Sequence, residues 1–424
     1  MLLCLVLVVG RVSGQVLQEF SGLKHTRLAY LAINIEQLEK TDTPNQLLLH
    51  LGPNQSLDLA LEQLRQDLVN LPVFHRATYH KQVTSNETLV RWELSESQTL
   101  FPLISFGGVR DNFFYQIGFS ETHLQGLGRE LTAFYGNNDG ENNYYFSIGN
   151  PSLKGGKWGY RLEHNRYAAV EPLYFPEEVN YQYINLNTGL GGSYTFRPGR
   201  SIHFGANIFR ERYRKVADAP EGSPGPDEVE QWKGLLKFRL SQNKLNYRQE
   251  RVEGTNHQTI LQGVYNFADH TNFFIGWHDF HYFQTLGKRG NLALRLRAGI
   301  STNDNSPFAP FVLDSQVNIR GSGNRIDRGT AQLILNLEYR HTIWRDKKDR
   351  FAAQLVAFND LGNWRSPGGT LEDLIRSDNV RYFAGAGIRL INLRAWNSVV
   401  RLDYGIDLLN TRERGLVLGF GQYF

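Results

Sequence analysis

Cysteine is almost absent from this sequence. One occurs in 424 residues, at Cys4, and methionine occurs only at position 1. With its one cysteine in the first few residues, the body of the chain can hold no disulfide, cysteine metal site or thiol chemistry. Long apolar runs are missing as well. Beyond the first ten residues none is long enough to cross a bilayer as a helix. No run of Lys and Arg is interleaved with aromatics, and the formal net charge is only +4, which excludes a nucleic-acid partner. No nucleophile–base arrangement or paired-carboxylate site stands out, so the expectation is a protein that is not an enzyme and needs no cofactor. His278, Asp279 and His281 look like metal ligands. On a strand, however, residues three apart point to opposite faces. Gly321-Ser322-Gly323 is too short for a phosphate loop.

What the chain has instead is glycine (41), phenylalanine (26) and tyrosine (20), arranged in alternation. From Ala331 to Arg340 the pattern is unbroken. Ala331, Leu333, Leu335, Leu337 and Tyr339 fall on one face; Gln332, Ile334, Asn336, Glu338 and Arg340 fall on the other. Period-two alternation with charges and amides on one side is the pattern of a membrane β-barrel strand, lipid outside and polar lumen inside. A mean hydropathy of −0.41 does not count against this, because alternation hides the apolar half. About sixteen such segments follow Pro102: 103–109, 112–121, 129–136, 143–149, 157–166, 181–196, 201–213, 232–247, 256–267, 271–284, 291–301, 329–343, 350–360, 381–391, 398–408 and 415–424. The longer connections, Arg214–Gln231, Thr302–Arg328 and Arg365–Asn379, all fall between an odd and an even strand. That is the extracellular side if the first strand rises from the periplasm. The expected fold class is a transmembrane β-barrel of about sixteen antiparallel strands, residues 102–424, preceded by a small α+β domain.

The N-terminal part reads differently. Met1 to Val9 is apolar and small residues reach Gly14, so residues 1–14 are expected to be a secretory signal. Residues 24–97 form the small domain. Leu28 to Ile35 reads as a strand and Gln46 to Leu51 as a short helical piece. Ser56 reads as the N-cap of a helix carrying Leu57, Ala60, Leu61, Leu64, Leu68 and Leu71, stopped by Pro72. Two strands follow, Val73–Gln82 and Glu87–Ser95.

Three motifs give the chain a family resemblance. Ile319-Arg320-Gly321 lies in a long loop, the next strand carries Leu337-Glu338-Tyr339, and Phe358-Asn359-Asp360-Leu361-Gly362 lies on the strand after that. In type and order they resemble the signature of the BamA/TamA-type outer-membrane assembly and translocation superfamily. Asn150-Pro151 and Ser120–Gly128, with its Leu-x-Gly-x-Gly-like end, resemble further features of it, and the small domain resembles a single POTRA domain. The resemblance implies that the sixth extracellular loop folds back into the lumen. Arg320 and Gly321 would form its tip, and Glu338, Asp360 and Gly362 its seat. The alternative is that Arg320, Glu338 and Asp360 are ordinary lumen charges, as in a porin.

The last segment places Leu416, Leu418, Phe420, Gln422 and Phe424 on one face, and its terminal Phe424 resembles an outer-membrane targeting signal. It must pair with the first strand. Gly107 and Gly108 on one side, with Gly419 and Gly421 on the other, weaken strand propensity at this seam. In the family the seam opens to template a client strand; equally, the glycines could serve only to let the barrel curve. The resemblance implies a protein of the bacterial outer membrane with its POTRA domain in the periplasm. It would insert β-barrel clients or move protein across the membrane. Its partners would be unfolded outer-membrane or secreted client proteins, the lipid bilayer and accessory periplasmic subunits. A secretion pore dedicated to one partner and a passive solute porin are the alternatives.

Overall fold

The computed structural model describes residues 16–424 apart from 44–45, 53–54, 84–87, 110–111, 139, 176, 218, 221, 316, 324–326 and 396–397. The expected signal segment, 1–14, lies outside the described residues.

The N-terminal α+β domain contains β1 (Val16–Ser21), α1 (Leu28–Asn34), β2 (Leu38–Lys40), β3 (Gln46–Leu49), α2 (Leu57–Asn70), β4 (Phe74–Val83) and β5 (Thr88–Glu96). Its sheet runs β2-β3-β1-β5-β4, with β1 parallel to β5 and antiparallel to β3. Helix α2 begins where Ser56 accepts a hydrogen bond from the Leu59 amide, 3.3 Å. Its Ala60, Leu61, Leu64 and Leu68 are fully buried against the sheet. Each buried leucine contributes on the order of 2 kcal/mol.

Two elements here differ from the sequence reading. Leu28–Ile35 is helix α1, not a strand. The stretch LAYLAINI is apolar throughout, so period alone does not separate the two, and burial of Leu31 and Ile35 follows helical spacing. Gln46–Leu51 is not helical. Its first four residues form β3, because Leu47 and Leu49 alternate into the core and the strand is paired on both sides by β1 and β2. The sheet also begins earlier than Lys24. Strand β1 escapes the hydrophobic pattern because an inward position is Gln18, fully buried and accepting from the Trp92 indole at 2.8 Å.

The rest of the chain forms one sixteen-strand antiparallel sheet. In chain order its strands are β6 (Leu100–Val109), β7 (Asn112–Leu124), β8 (Arg129–Asn138), β9 (Glu141–Asn150), β10 (Trp158–Tyr174), β11 (Glu178–Arg197), β12 (Arg200–Lys215), β13 (Glu228–Arg248), β14 (Arg251–Asn266), β15 (Asn272–Leu286) and β16 (Gly290–Ser301). After a hairpin of β17 (Phe311–Leu313) and β18 (Asp327–Gly329) come β19 (Ala331–Arg345), β20 (Phe351–Arg365), β21 (Val380–Asn392), β22 (Val399–Asp407) and β23 (Arg414–Phe420). Each strand pairs with its neighbour in sequence, except that the hairpin lies between β16 and β19. The sheet ends, β6 and β23, come within 8 Å of each other between Cα atoms, which closes the barrel.

The faces sort as lipid and lumen. Leu236, Leu333, Leu355, Ile388, Leu402 and Leu418 project outward and are exposed. Asn336, Glu338, Gln354, Asp360, Arg389 and Asp403, on the opposite faces, are fully buried inside. A misregister by one residue would put such charges in lipid at roughly 2–4 kcal/mol per Arg, so the register is strongly set. Among the described residues no helix is long and apolar enough to cross a membrane; the strands do so.

The wall is uneven in height. Strands β11 and β13 have 20 and 21 residues, whereas β22 and β23 have 9 and 7. A tilted spanning strand needs about 9–11 residues. The wall is therefore tall opposite the seam and short beside it.

The α+β domain lies against one end of the barrel. The Arg27 amide donates to the Gly126 carbonyl (3.1 Å) and Tyr30 packs edge-on to His123 (4.6 Å) in the β7–β8 region. Asn70 and Gln66 bond Asn246 and the Tyr247 carbonyl near the β13–β14 turn, both at 3.1 Å. The Gln98 amide donates to the Arg394 carbonyl in the β21–β22 turn, 3.0 Å. Counted from β6 as the first barrel strand, all three turns join an even to an odd strand. The long connections 216–227, 302–330 and 366–379 lie at the other end.

Candidate functional site

The connection from β16 to β19 enters the lumen, and its tip carries Ile319, Arg320 and Gly321. Arg320 is fully buried. Its side chain forks onto Asp360 of β20, with Nε to Oδ2 at 2.8 Å and Nη2 to Oδ1 at 2.9 Å. The Arg320 backbone amide donates to the same carboxylate at 3.0 Å. Nη1 donates to Glu338 of β19. A planar guanidinium that meets one carboxylate bidentately and a second at its remaining corner is fixed in direction as well as position.

The charges continue outward. Glu338 also pairs with Arg340, and with Arg389 of β21 at 3.3 Å. Arg389 reaches Asp403 of β22 at 2.7 Å, and Arg401 reaches the same carboxylate at 3.3 Å. Asn336 joins the tip to the wall, donating to the Asn318 carbonyl (2.7 Å) and to Asp360 (2.8 Å). Buried charges are tolerable only when paired and hydrogen-bonded in this way. The network ties the tip to four adjacent strands.

Two rings complete the Arg320 site. Its guanidinium carbon lies 3.8 Å from the Phe358 ring centroid and 4.3 Å from that of Tyr423. The backbone of the tip then lies directly on the wall. Gly385, Gly405 and Gly415 are in register across β21, β22 and β23. Gly321, at φ +92°, sits on this row: a Cβ on it would lie 2.9 Å from Gly405 Cα, and a Cβ on Gly415 would lie 2.7 Å from the Gly321 carbonyl. Gly362 gives the Ile319 side chain its place in the same manner, at 2.7 Å.

The loop also reaches the opposite wall. Arg328 of β18 pairs with Glu171 of β10, both buried. Phe308 packs against Tyr213 of β12, 4.4 Å between centroids. Asp327 is held by Arg381 of β21 at 2.8 Å. The loop is thus a bar across the lumen, fixed at both ends. Beside it a cavity of about 740 Å³ remains, lined by residues such as Tyr183, Gln231, Gln262 and Trp277.

The structure therefore brings Arg320, Gly321, Glu338, Asp360 and Gly362 into one site. The seam residues lie elsewhere. Gly107 and Gly108 pair with Phe114 and Phe113 of β7. Gly419 pairs with Arg401. The last residues depart from the expected strand: β23 ends at Phe420, and Gly421, at φ +78°, turns the chain inward. Phe424 does not continue the outer row of Leu416, Leu418 and Phe420. It lies in the lumen, 6.4 Å from the Phe283 ring and 6.1 Å from His281. The cause is the inward site itself, where Arg320 and Arg401 face Tyr423 and Arg340 faces Phe424 at 5.8 Å. Among the described residues no backbone ladder joins β23 to β6. The sequence reading missed Phe358 and Tyr423 as ring partners, the Gly385–Gly405–Gly415 row and the Arg328–Glu171 pair. The Phe358-to-Gly362 motif contained the first of these. The others require strand registers or contacts across the barrel that no local pattern encodes.

No family model matches the chain, and no curated protein matches it in sequence. Solved structures do match. BamA from Haemophilus ducreyi lacking POTRA domains 1–3 is 14% identical, with 96% of this chain and 84% of that one covered at a TM-score of 0.55. CdiB from Escherichia coli is 11% identical, with 96% and 75% covered at 0.57. CdiB from Acinetobacter baumannii is 11% identical, with 96% and 74% covered at 0.53. At these identities the likeness is one of fold, and the fold of this chain is that of BamA and CdiB, a sixteen-strand transmembrane barrel behind a small α+β domain.

Proposed function

We propose that the protein is an outer-membrane assembly factor whose N-terminal POTRA-type domain faces the periplasm and whose barrel seam templates strands of unfolded β-barrel clients. The observation that carries this reading is the seam. Strands β6 and β23 are neighbours, yet among the described residues no ladder joins them. Unpaired edge donors and acceptors beside a bilayer recruit any strand that can satisfy them. The shortness of β23, 7 residues, favours a thinned bilayer there, which lowers the barrier to inserting a client. No bond chemistry is involved. At the other end, among the described residues the ten-residue β4 pairs with β5 alone, which leaves an edge of the domain's sheet for addition of an extended client segment.

Translocation of a protein through the lumen is the second reading, and the loop favours it as a gate. The bar fixed by Arg320 and Arg328 crosses the space a passenger would use, and the domain lies over the other mouth. The same obstruction argues against a passive porin.

Site-specific photocrosslinkers separate the two readings. Placed outward on β6 and β23, at Ile104 and Leu418, they should capture an arrested barrel client. Placed in the lumen at Gln262, they should not. Capture at Gln262 without capture at the seam would move the assignment to a translocation pore.

A further inference from the structure

The tail that follows β23 lies where the loop tip and the seam meet, and three observations join them. First, the last ladder bond of β23 is the Gly421 amide to the Val399 carbonyl of β22, 2.8 Å. Beyond it the positive φ of Gly421 directs residues 422–424 into the lumen rather than along β6. Second, Tyr423 is buried with its ring against two guanidinium groups, 4.3 Å from Arg320 and 4.8 Å from Arg401. Arg320 also lies 3.8 Å from the Phe358 ring. Third, the loop tip rests on Gly405 and Gly415, so the same tip touches the body of β23. Strand β23 runs down from the long-loop end, so its tail would lie beside the first residues of β6 if it continued as a strand.

We infer that Tyr423 is a positioning residue that couples the loop to the seam: while Arg320 is seated it holds the tail in the lumen and denies β6 its last partner residues, and withdrawal of the loop lets the tail rejoin β23 and zip the seam. The residues on the page can populate two arrangements. In one, the tail ring is held by cation–π contact and the lower seam is unpaired. In the other, residues 421–424 extend β23 past the first residues of β6, with Gln422 opposite Leu100. Both use the same four residues, so they exclude each other. A cation–π contact at a desolvated site is worth roughly a thirtyfold bias, and two arginines share this ring. The inference deepens the assembly reading: it makes loop seating the regulator of that seam.

The test is disulfide trapping in the full chain, whose only cysteine is Cys4. Leu100→Cys is combined with Gln422→Cys to report the zipped seam. A separate control pairs Leu402→Cys with Leu418→Cys, which are directly opposite in the β22–β23 ladder. With the native tail, the Leu100–Gln422 bond should form in low yield. Tyr423→Ala should raise it about fivefold or more, and Tyr423→Leu, which keeps bulk without a π face, should do the same. Tyr423→Phe should leave it low, and Arg320→Ala should raise it as Tyr423→Ala does. The control bond should form equally in all of them. Equal yield in the native and Tyr423→Ala proteins would overturn the inference. So would a rise with Tyr423→Ala that Arg320→Ala does not reproduce, because the loop would then not be coupled to the tail. No client is present, so a negative result here leaves the assembly reading standing, and a failed assembly assay leaves this result standing.

Discussion

Replacing Arg320 with alanine should release the loop without unfolding the barrel, and the charge arithmetic of the site says why. The connected cluster holds four arginines (320, 340, 389, 401) and three carboxylates (Glu338, Asp360, Asp403). Removing Arg320 leaves three of each. Glu338 keeps Arg340 and Arg389. Asp360 keeps the residue-320 amide and Asn336 but loses its cation. Breaking a buried ion pair by deleting one partner costs roughly 3–5 kcal/mol. Because the remaining cluster is balanced, the lower end applies, about 3 kcal/mol, or roughly a hundredfold in the fraction of molecules with the loop unseated. A broad-specificity protease that cleaves after aliphatic residues reads this directly, since Ile319 at the tip is fully buried while the loop is seated. Cleavage there should rise by about two orders of magnitude in Arg320→Ala protein that still migrates as a heat-modifiable folded barrel. Asp360→Ala, which leaves four arginines against two carboxylates, should raise it at least as much, and adding Arg320→Ala to it should raise it no further. Arg320→Lys should fall between, because an ammonium cannot fork onto Asp360 and Glu338 together. Native cleavage rates in all of these variants would refute the reasoning.

Three further outcomes follow from other contacts. Gly415→Val leaves every charge in place but drives a side chain into the Gly321 carbonyl, so loop cleavage should rise as it does for Arg320→Ala, with stability lowered by about 1–3 kcal/mol from the forced packing. Arg328→Ala should free the far end of the bar while the Arg320 seat holds, giving larger and noisier single-channel conductance in planar bilayers than native protein. Burial tends to raise the Glu96 carboxyl, but hydrogen bonds from Thr26 and His25 outweigh it and hold the group below the usual range. Its contribution to the α+β domain is therefore complete above the unfolded value of about 4 and is lost as pH falls through the lower folded value, and Glu96→Gln should flatten the acid limb of the thermal-melt profile.

The barrel was legible in the sequence because lipid punishes error. Alternation such as Leu333–Arg340 has one acceptable register, and sixteen segments of that kind led to a sixteen-strand sheet. The tip and its two carboxylates were legible through motifs whose order in the chain matched the order of neighbouring strands. The small domain was less so. LAYLAINI is apolar at every period, and the four residues of β3 are too few to show one. Gln18 concealed β1 by placing an amide where the pattern wanted an apolar side chain. The tail was misread for a different reason: Phe420, Gln422 and Phe424 do alternate, but a glycine turn and waiting arginines outweigh the pattern. The glycine row under Gly321 depends on three strand registers, and Arg328 meets Glu171 only because the barrel is closed.

The most direct test of the account is folding of an added, unfolded β-barrel client in liposomes that contain this protein. Protease protection and heat-modifiable migration of the client are followed over time, with the native protein and with a variant whose β6 and β23 are locked together by a disulfide. The account predicts faster client folding than in protein-free liposomes, lost on locking and restored by reductant. Acceleration that survives the lock, or none with several clients, would contradict it.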